Sequence, residues 1–180
     1  MRAAASGSAV KEKQAPLRAL YVEQPERAMT TKWARASATR IPATDPFHGE
    51  VEIGRGYETR LGYGLDRAVG GLGDRPNPGD ILCAALAACE DGTIRMVADL
   101  LGVELEQLEV EVSAELDVRG ALGVDPDVSV GFEALDCRVA LRTATGTDPR
   151  RVEQLRAAAE RFCVNLATLR TGVAVEVGKP

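Results

Sequence analysis

The chain has 180 residues and a mass of 19.1 kDa, a length that suits one compact domain and is short for two. Apolar residues make up 45% and charged residues 27%, a globular balance that excludes a fully disordered or collagen-like chain. With 22 Lys and Arg against 27 Asp and Glu, the net charge is -5 and the pI about 5.1, which opposes a phosphate-driven grip on nucleic acid.

Residues 1–15 are small, polar and charged without a period, and read as a mobile tail. A short helix is expected from Pro16 to Met29, with Leu17, Leu20 and Tyr21 on one side until Pro25 interrupts it. Lys32 to Ile41 reads as extended. After turn signals at Pro42, Asp45 and Pro46, Glu50 to Ile53 alternates as a second strand, and a third carries Tyr57, Thr59, Leu61 and Tyr63 on one face. These three strands are expected to form an antiparallel meander. His48, among turn residues, reads as a surface side chain.

A glycine-rich loop from Gly70 to Pro78 follows. Gly71-x-Gly73 lacks the third glycine of a dinucleotide loop, Pro76 standing in its place, and the strands before it are not of a βαβ unit; no cofactor is expected. Asn77 is a natural helix cap, Pro78 suits the first helical position, and Asp80 faces the positive end of the helix dipole. The helix should run from Pro78 to Leu101 and end at Gly102. Its stretch Ile81 to Cys89, nine residues, is the longest apolar run in the chain. A bilayer-crossing helix needs roughly 20, so this is not a membrane span but a helix that must be enclosed on all sides.

Leu108 to Val118 alternates strictly, with Leu108, Val110, Val112, Ala114, Leu116 and Val118 on one face. Phe132 to Arg142 follows as another strand, with Leu135, Cys137, Val139 and Leu141 inward. Asp148 and Pro149 start a helix that carries Val152, Leu155, Ala159, Phe162 and Leu166 at three- and four-residue steps, with Cys163 on the same broad face. Val173, Val175 and Val177 then alternate as a closing strand. The order, β(3)-α-β(2)-α-β, is an α+β arrangement. It has too few elements to cover an all-round apolar helix, and twofold pairing is the common remedy; a homodimer is expected.

Lys11, Glu12 and Lys13 interrupt the N-terminus before the apolar segment of a secretion signal can form. The four cysteines, Cys83, Cys89, Cys137 and Cys163, are therefore expected in a reducing cytoplasm, where lasting structural disulfides are uncommon. They form no CxxC pair and His48 is the sole histidine, so no metal site is expected. Cys83 and Cys89 lie six positions apart on one helix, roughly 120° from a shared face, and cannot act as a pair. Cys83 and Cys137 read as packing residues.

The sequence resembles the OsmC family, which includes the organic hydroperoxide resistance proteins. The resemblance rests on Pro76-Asn77-Pro78 after the glycine-rich loop, the helix Asp80-Ile81-Leu82-Cys83-Ala84-Ala85-Leu86-Ala87-Ala88-Cys89, the Gly102 to Leu105 segment, and Arg161-Phe162-Cys163-Val164. It implies one domain over residues 32–180 and an OsmC-like swapped dimer in which antiparallel sheets wrap two buried helices. It also implies thiol-based reduction of organic or inorganic hydroperoxides, with a dithiol reductant.

A thiolate that attacks a peroxide bond becomes a sulfenic acid, which a second thiol converts to a disulfide. By the resemblance Cys89 attacks and Cys163 resolves. Their alternative reading is as small hydrophobes in a core. Burial disfavours a thiolate, so Cys89 needs a nearby cation. In the relatives a strand arginine supplies it, held by an acid at the start of the buried helix. Among Arg35, Arg40, Arg55 and Arg60 the assignment here is Arg40, with Asp80 as the acid; each reads equally as a solvated arginine and a simple helix-start charge. Three residues depart from the pattern. Gly79 stands where the hydroperoxide-resistance subgroup has its glutamate, Val164 replaces a proline, and Glu90 adjoins the attacking thiol. They keep open a reading of a different class, a noncatalytic protein binding an apolar small molecule in the interface pocket.

Overall fold

The computed structural model describes residues 7–178, which fold as two compact units, one of residues 28–84 and 113–136, the other of residues 7–27, 85–112 and 137–178. In the first unit, strands β1 (Ala34–Ala36), β2 (His48–Ile53) and β3 (Thr59–Gly64) pair antiparallel in that order, the expected meander. Lys32 to Ile41 contracts to three strand residues, because β1 finds partners in β2 only at Val51 to Ile53. The register places Glu52 opposite both Arg35 and Arg60, and such cross-strand charge pairs favour that alignment. His48 is no surface side chain. Only 15% of it is exposed, because its ring is held between Asp45 (Nδ1 to Oδ2, 3.1 Å) and Asp74 (Nε2 to Oδ2, 3.1 Å). That contact ties the start of β2 to the glycine-rich loop.

Helix α2 spans Pro78–Leu101, with the bounds the sequence predicts. Asn77 Oδ1 accepts from the amides of Gly79 (2.7 Å) and Asp80 (3.1 Å), while Asp80 Oδ2 accepts from the Asn77 amide (2.9 Å). This reciprocal cap satisfies donors that a helix start otherwise leaves open. At the far end Gly102 adopts φ 63°, a left-handed turn that suits glycine. The turn brings the Val103 amide back to Ala98 O (2.9 Å), closing a Schellman cap. Arg151 adds a donor to Leu101 O (3.0 Å).

Strands β4 (Leu105–Glu115) and β5 (Ala134–Thr143) form a second sheet. The Glu133 amide donates to Glu115 O and the Ala144 amide to Glu104 O, so the strands run antiparallel. The single turn α3 (Val118–Ala121) follows β4 and is capped by Asp117; Val118 therefore leaves the predicted strand. Leu116 and Leu135, expected inward, are exposed, since the alternating half-buried pattern starts only at Cys137 on β5 and ends at Ala114 on β4.

The apolar core of the second unit joins Ile94, Val97 and Ala98 of α2 to Val103 and to Leu155 and Ala159 of helix α4 (Pro149–Phe162), with Leu105, Leu108, Val110, Val139 and Leu141 packed around it. The N-terminal helix is longer than its sequence suggests. Helix α1 spans Ala9–Glu23, with Pro16 inside, because Ser8 caps it and tertiary contacts hold it. Ser8 Oγ donates to Asp99 Oδ2 (2.5 Å) and the Val10 amide donates to the same oxygen (2.8 Å). The mobile-tail expectation thus fails for residues 9–15, while residues 1–6 lie outside the described chain.

Two C-terminal expectations also change. The second amphipathic helix is broken at Cys163, whose φ -71° and ψ 108° end α4 and start α5 (Val164–Thr171). Gly172 to Gly178 forms no strand. Val173, Val175 and Val177 are 65%, 80% and 94% exposed, and alternation alone cannot make a strand without an edge to pair with. Within one chain Ile81 to Cys89 is covered only in part, with Leu86 fully buried and Leu82 38% exposed, which leaves open the face expected to meet a second subunit. No helix among the described residues is long and apolar enough to cross a membrane.

Candidate functional site

Cys89 sits on the fourth turn of α2, beside the buried stripe of Leu86, Glu90, Thr93, Ile94, Val97 and Ala98. Thr93 Oγ donates to the Cys89 carbonyl (2.7 Å), fixing the helix backbone one turn beyond the thiol. Cys163 is completely buried and occupies the break between α4 and α5. Its amide still closes α4 through Ala159 O (3.0 Å), and its carbonyl already accepts from Ala167 to open α5 (3.0 Å). One residue serves both helices, so its side chain has little freedom to move away.

The break aims the start of α5 at the sulfurs. The Asn165 amide donates to Cys89 Sγ (3.5 Å), and Asn165 Nδ2 donates to Ala85 O (2.8 Å), clamping the first turn of α5 against α2. The Cys163 thiol is close enough to the Leu166 amide, to Glu90 and to Cys89 for each of them to bear on its proton. The two cysteines that the resemblance pairs are therefore close to each other, both as free thiols. Orphan amides at a helix start carry partial positive charge and favour a negative group in front of them.

Burial pushes the Cys163 thiol up to about 12; the Leu166 amide opposes this, while Glu90 and Cys89 add to it. Cys163 thus stays a protonated donor at neutral pH. Glu90 is 5% exposed, and its Oε2 is buried without a hydrogen-bond partner. A buried, half-satisfied carboxyl is costly to retain, and here it faces a thiol.

The remaining predicted residues lie in the other unit, each with a partner there. Arg40 meets Glu50 (3.2 Å). Glu50 also takes Arg60 (3.2 Å); burial works against ionisation of its carboxyl, but Arg60 and Arg40 together hold it below the usual range. Arg35 pairs with Glu52 (3.5 Å), and Arg55 stacks over Trp33 at 5.1 Å. Asp80 serves the helix cap described above. A Cβ on Gly79 would stand 2.9 Å from Asn77 Oδ1 and 3.1 Å from Phe132 Cζ, so the space a glutamate would need is already taken.

The model of the family described as OsmC-like protein matches residues 71–178. The chain belongs to the OsmC-like family. Cys89, Cys163, Glu90, Asn165 and Asp80 all fall within the matched span, whereas Arg40 precedes it. Among solved structures, an OsmC-like protein from Mycoplasma pneumoniae superposes with a TM-score of 0.60 at 13% identity, over 80% of this chain and 89% of that one. An organic hydroperoxide resistance protein OsmC from Legionella pneumophila, named a predicted redox protein, matches at TM-score 0.51 and 26% identity over 79% and 90% of the two chains. One from Elizabethkingia anophelis, solved with thiocyanate bound, matches at 0.53 and 19% over 78% and 89%. No curated protein matches. The OsmC-like fold, mixed α+β with antiparallel sheets, is the one expected.

The pattern of the sequence leaves two parts of this OsmC-like site unread. The α4–α5 break is masked by apolar spacing that continues through it, and the only signal is Asn165, a poor helix former. Glu90 is more legible, since with Thr93, Ile94 and Val97 it occupies the i, i+3, i+4, i+7 stripe that faces a core.

Proposed function

We propose that this protein is a cytoplasmic, homodimeric thiol peroxidase that reduces hydroperoxides with Cys89 and Cys163. The observation that carries the reading is the contact between a partly accessible Cys89, faced by the Asn165 amide, and a buried Cys163 thiol. Cys89 attacks the terminal peroxide oxygen as a thiolate; the O–O bond breaks, the alcohol departs with a proton, and Cys89 is left as a sulfenic acid. Cys163 then attacks the Cys89 sulfur, the S–O bond breaks and water leaves, giving a disulfide. A dithiol reductant restores both thiols.

Positive character at Cys89 comes from the α5 amides; Arg40 stays the strand cation assigned to this reading, and Asp80 fixes the start of α2. The family name and the hydroperoxide resistance proteins among the structural neighbours support the substrate class. The exposed half of α2 and the unpaired Val173 to Val177 segment support the swapped dimer.

One equivalent of cumene hydroperoxide added to the reduced protein should consume two thiols, as counted by a thiol reagent and confirmed by intact mass. Cys89→Ser or Cys163→Ser should abolish the disulfide. The acid buried beside the pair favours the second reading, a protein that binds an apolar small molecule without chemistry. Thiols left intact by the peroxide would select that reading and sink the first.

A further inference from the structure

The buried carboxyl of Glu90 has no role in the chemistry above, and its surroundings give it one. It stands next to Cys89 in the chain, is 5% exposed, and keeps Oε2 out of water without a partner. The start of α5 reaches the adjoining Cys89 through the Asn165 amide (3.5 Å), and the fully buried Cys163 at the α4–α5 break is near enough for Glu90 to act on its thiol. Its neighbour Asp91 turns elsewhere, to Arg95 (2.7 Å). The titratable groups around Glu90 include Cys163 from the α4–α5 junction and Cys89 from α2.

A thiol cannot attack a sulfenic acid while it keeps its proton, because the thiolate is the nucleophile. Bulk water does not reach the sulfur of a fully buried residue, so the proton must pass to a group inside the protein. We propose that Glu90 is the general base for Cys163, taking the Sγ proton as Cys163 attacks Cys89 and passing it to the hydroxide that leaves. This rests on the peroxidase reading and adds a catalytic residue to its second step. The S–S bond forms as the S–O bond of the sulfenic acid breaks. The Cys163 sulfur is oxidised, the Cys89 sulfur is reduced from the sulfenic state, and the proton lost by Cys163 leaves in the water molecule. No further reductant or oxidant enters this step. The unpartnered Oε2 is the vacant acceptor that a relay between two sulfurs requires, since a carboxyl locked into ion pairs could not exchange its proton.

The test uses Glu90→Gln, which keeps shape and polarity but removes the base, and Glu90→Asp, which keeps a carboxyl; far-UV circular dichroism verifies folding. All proteins carry Cys83→Ala and Cys137→Ala. In the first arm, cumene hydroperoxide is added and the sulfenic acid is trapped with dimedone. The parent should yield mostly disulfide. Glu90→Gln should lose its first thiol at the parent rate but accumulate the trapped sulfenic acid, with disulfide formation slowed by about 10²-fold, the usual reach of a general base. Its residual rate should rise about tenfold per pH unit, as expected when hydroxide replaces the base, while Glu90→Asp should recover part of the loss.

The second arm needs no peroxide. Cys89 is converted to its mixed disulfide with thionitrobenzoate, and the release of thionitrobenzoate by Cys163 is followed by its visible absorbance. Glu90→Gln should again be slow. Release from folded Glu90→Gln at the parent rate and with the parent pH profile would overturn the assignment of Glu90. If peroxide leaves the parent thiols intact while the second arm still depends on Glu90, the peroxidase reading fails and the proton relay stands.

Discussion

The two halves of α2 contrast in a way composition does not predict. From Ile81 to Cys89 the helix is apolar on every side, yet only Leu86 is fully buried and Leu82 remains 38% exposed. From Glu90 to Leu101 it is mixed, yet Glu90, Thr93, Ile94, Val97 and Ala98 are all buried. Hydrophobicity records what a surface would gain by leaving water; burial records whether the chain supplies something to cover it. The second half is covered by α4 and by the inward side chains of β4 and β5. Under the dimer proposal the first half is covered by a second copy.

The largest expected effect tests the covered half. Leu155→Ala removes a side chain with no exposed surface from the centre of that core, and should lower unfolding stability by about 2–5 kcal/mol in chemical denaturation. A loss below about 1 kcal/mol would mean that the core is not closed as described. Leu82→Lys probes the uncovered half. If this face is the seam, the variant should dissociate at concentrations where the parent sediments as a dimer. Burying a leucine is worth about 1.5–3 kcal/mol, enough to weaken pairing by tenfold or more. Unchanged sedimentation would place the seam elsewhere.

A smaller change is expected where the halves meet. Asn165→Ala deletes the bond to Ala85 O that seats α5 against α2. It should cost about 1 kcal/mol and slow the first thiol loss severalfold in stopped-flow assays, since the α5 amides would no longer be held against Cys89. An unchanged rate would remove the helix start from the mechanism.

The smallest effect lies in the three-strand unit and is set by pH. Hydrogen bonds that the ring donates to Asp45, and then to Asp74, raise His48 above its ordinary 6.5. Asp45 and Asp74 are held below 3.8, Asp45 first by the Phe47 amide and then by His48, Asp74 first by His48. A raised histidine stabilises the fold fully below 6.5, and that part is lost as pH climbs through its folded value; depressed carboxylates stabilise it above 3.8 and lose that as pH falls. The stability gap between the parent and His48→Asn should thus be widest between about pH 4 and 6.5 and narrow above. A gap that does not narrow as pH rises above about 6.5 would show that the ring does not hold the loop through charge.

Much of the site was legible early. The pair proposed to react was marked by the Cys89 motif and by Cys163 in the last helical segment, through resemblance. What was not legible was the break at Cys163, because three- and four-residue apolar spacing reports which face is buried and is blind to a single residue of extended backbone. The strand arginines were legible as a set but not by role, since several cations and two acids, Glu50 and Glu52, could pair in several ways until the register of β1, β2 and β3 chose among them. The closing valines were misjudged for a related reason: alternation marks a segment fit to be a strand, while pairing needs an edge that this part of the chain does not find.

By itself the sequence determined both ends of α2, because Asn77, Pro78, Asp80 and Gly102 act on backbone groups within a turn of themselves, and such local chemistry does not wait for the rest of the fold. It also determined the antiparallel meander and the α+β class. Only the tertiary structure decided that a residue beyond residue 160 would meet one on α2, that the α5 amides would face Cys89, and that Glu90 would be sealed against a thiol. Those contacts join segments some 70 positions apart (163 less 89 is 74), and their geometry follows from how α4 packs on α2, which no local pattern encodes.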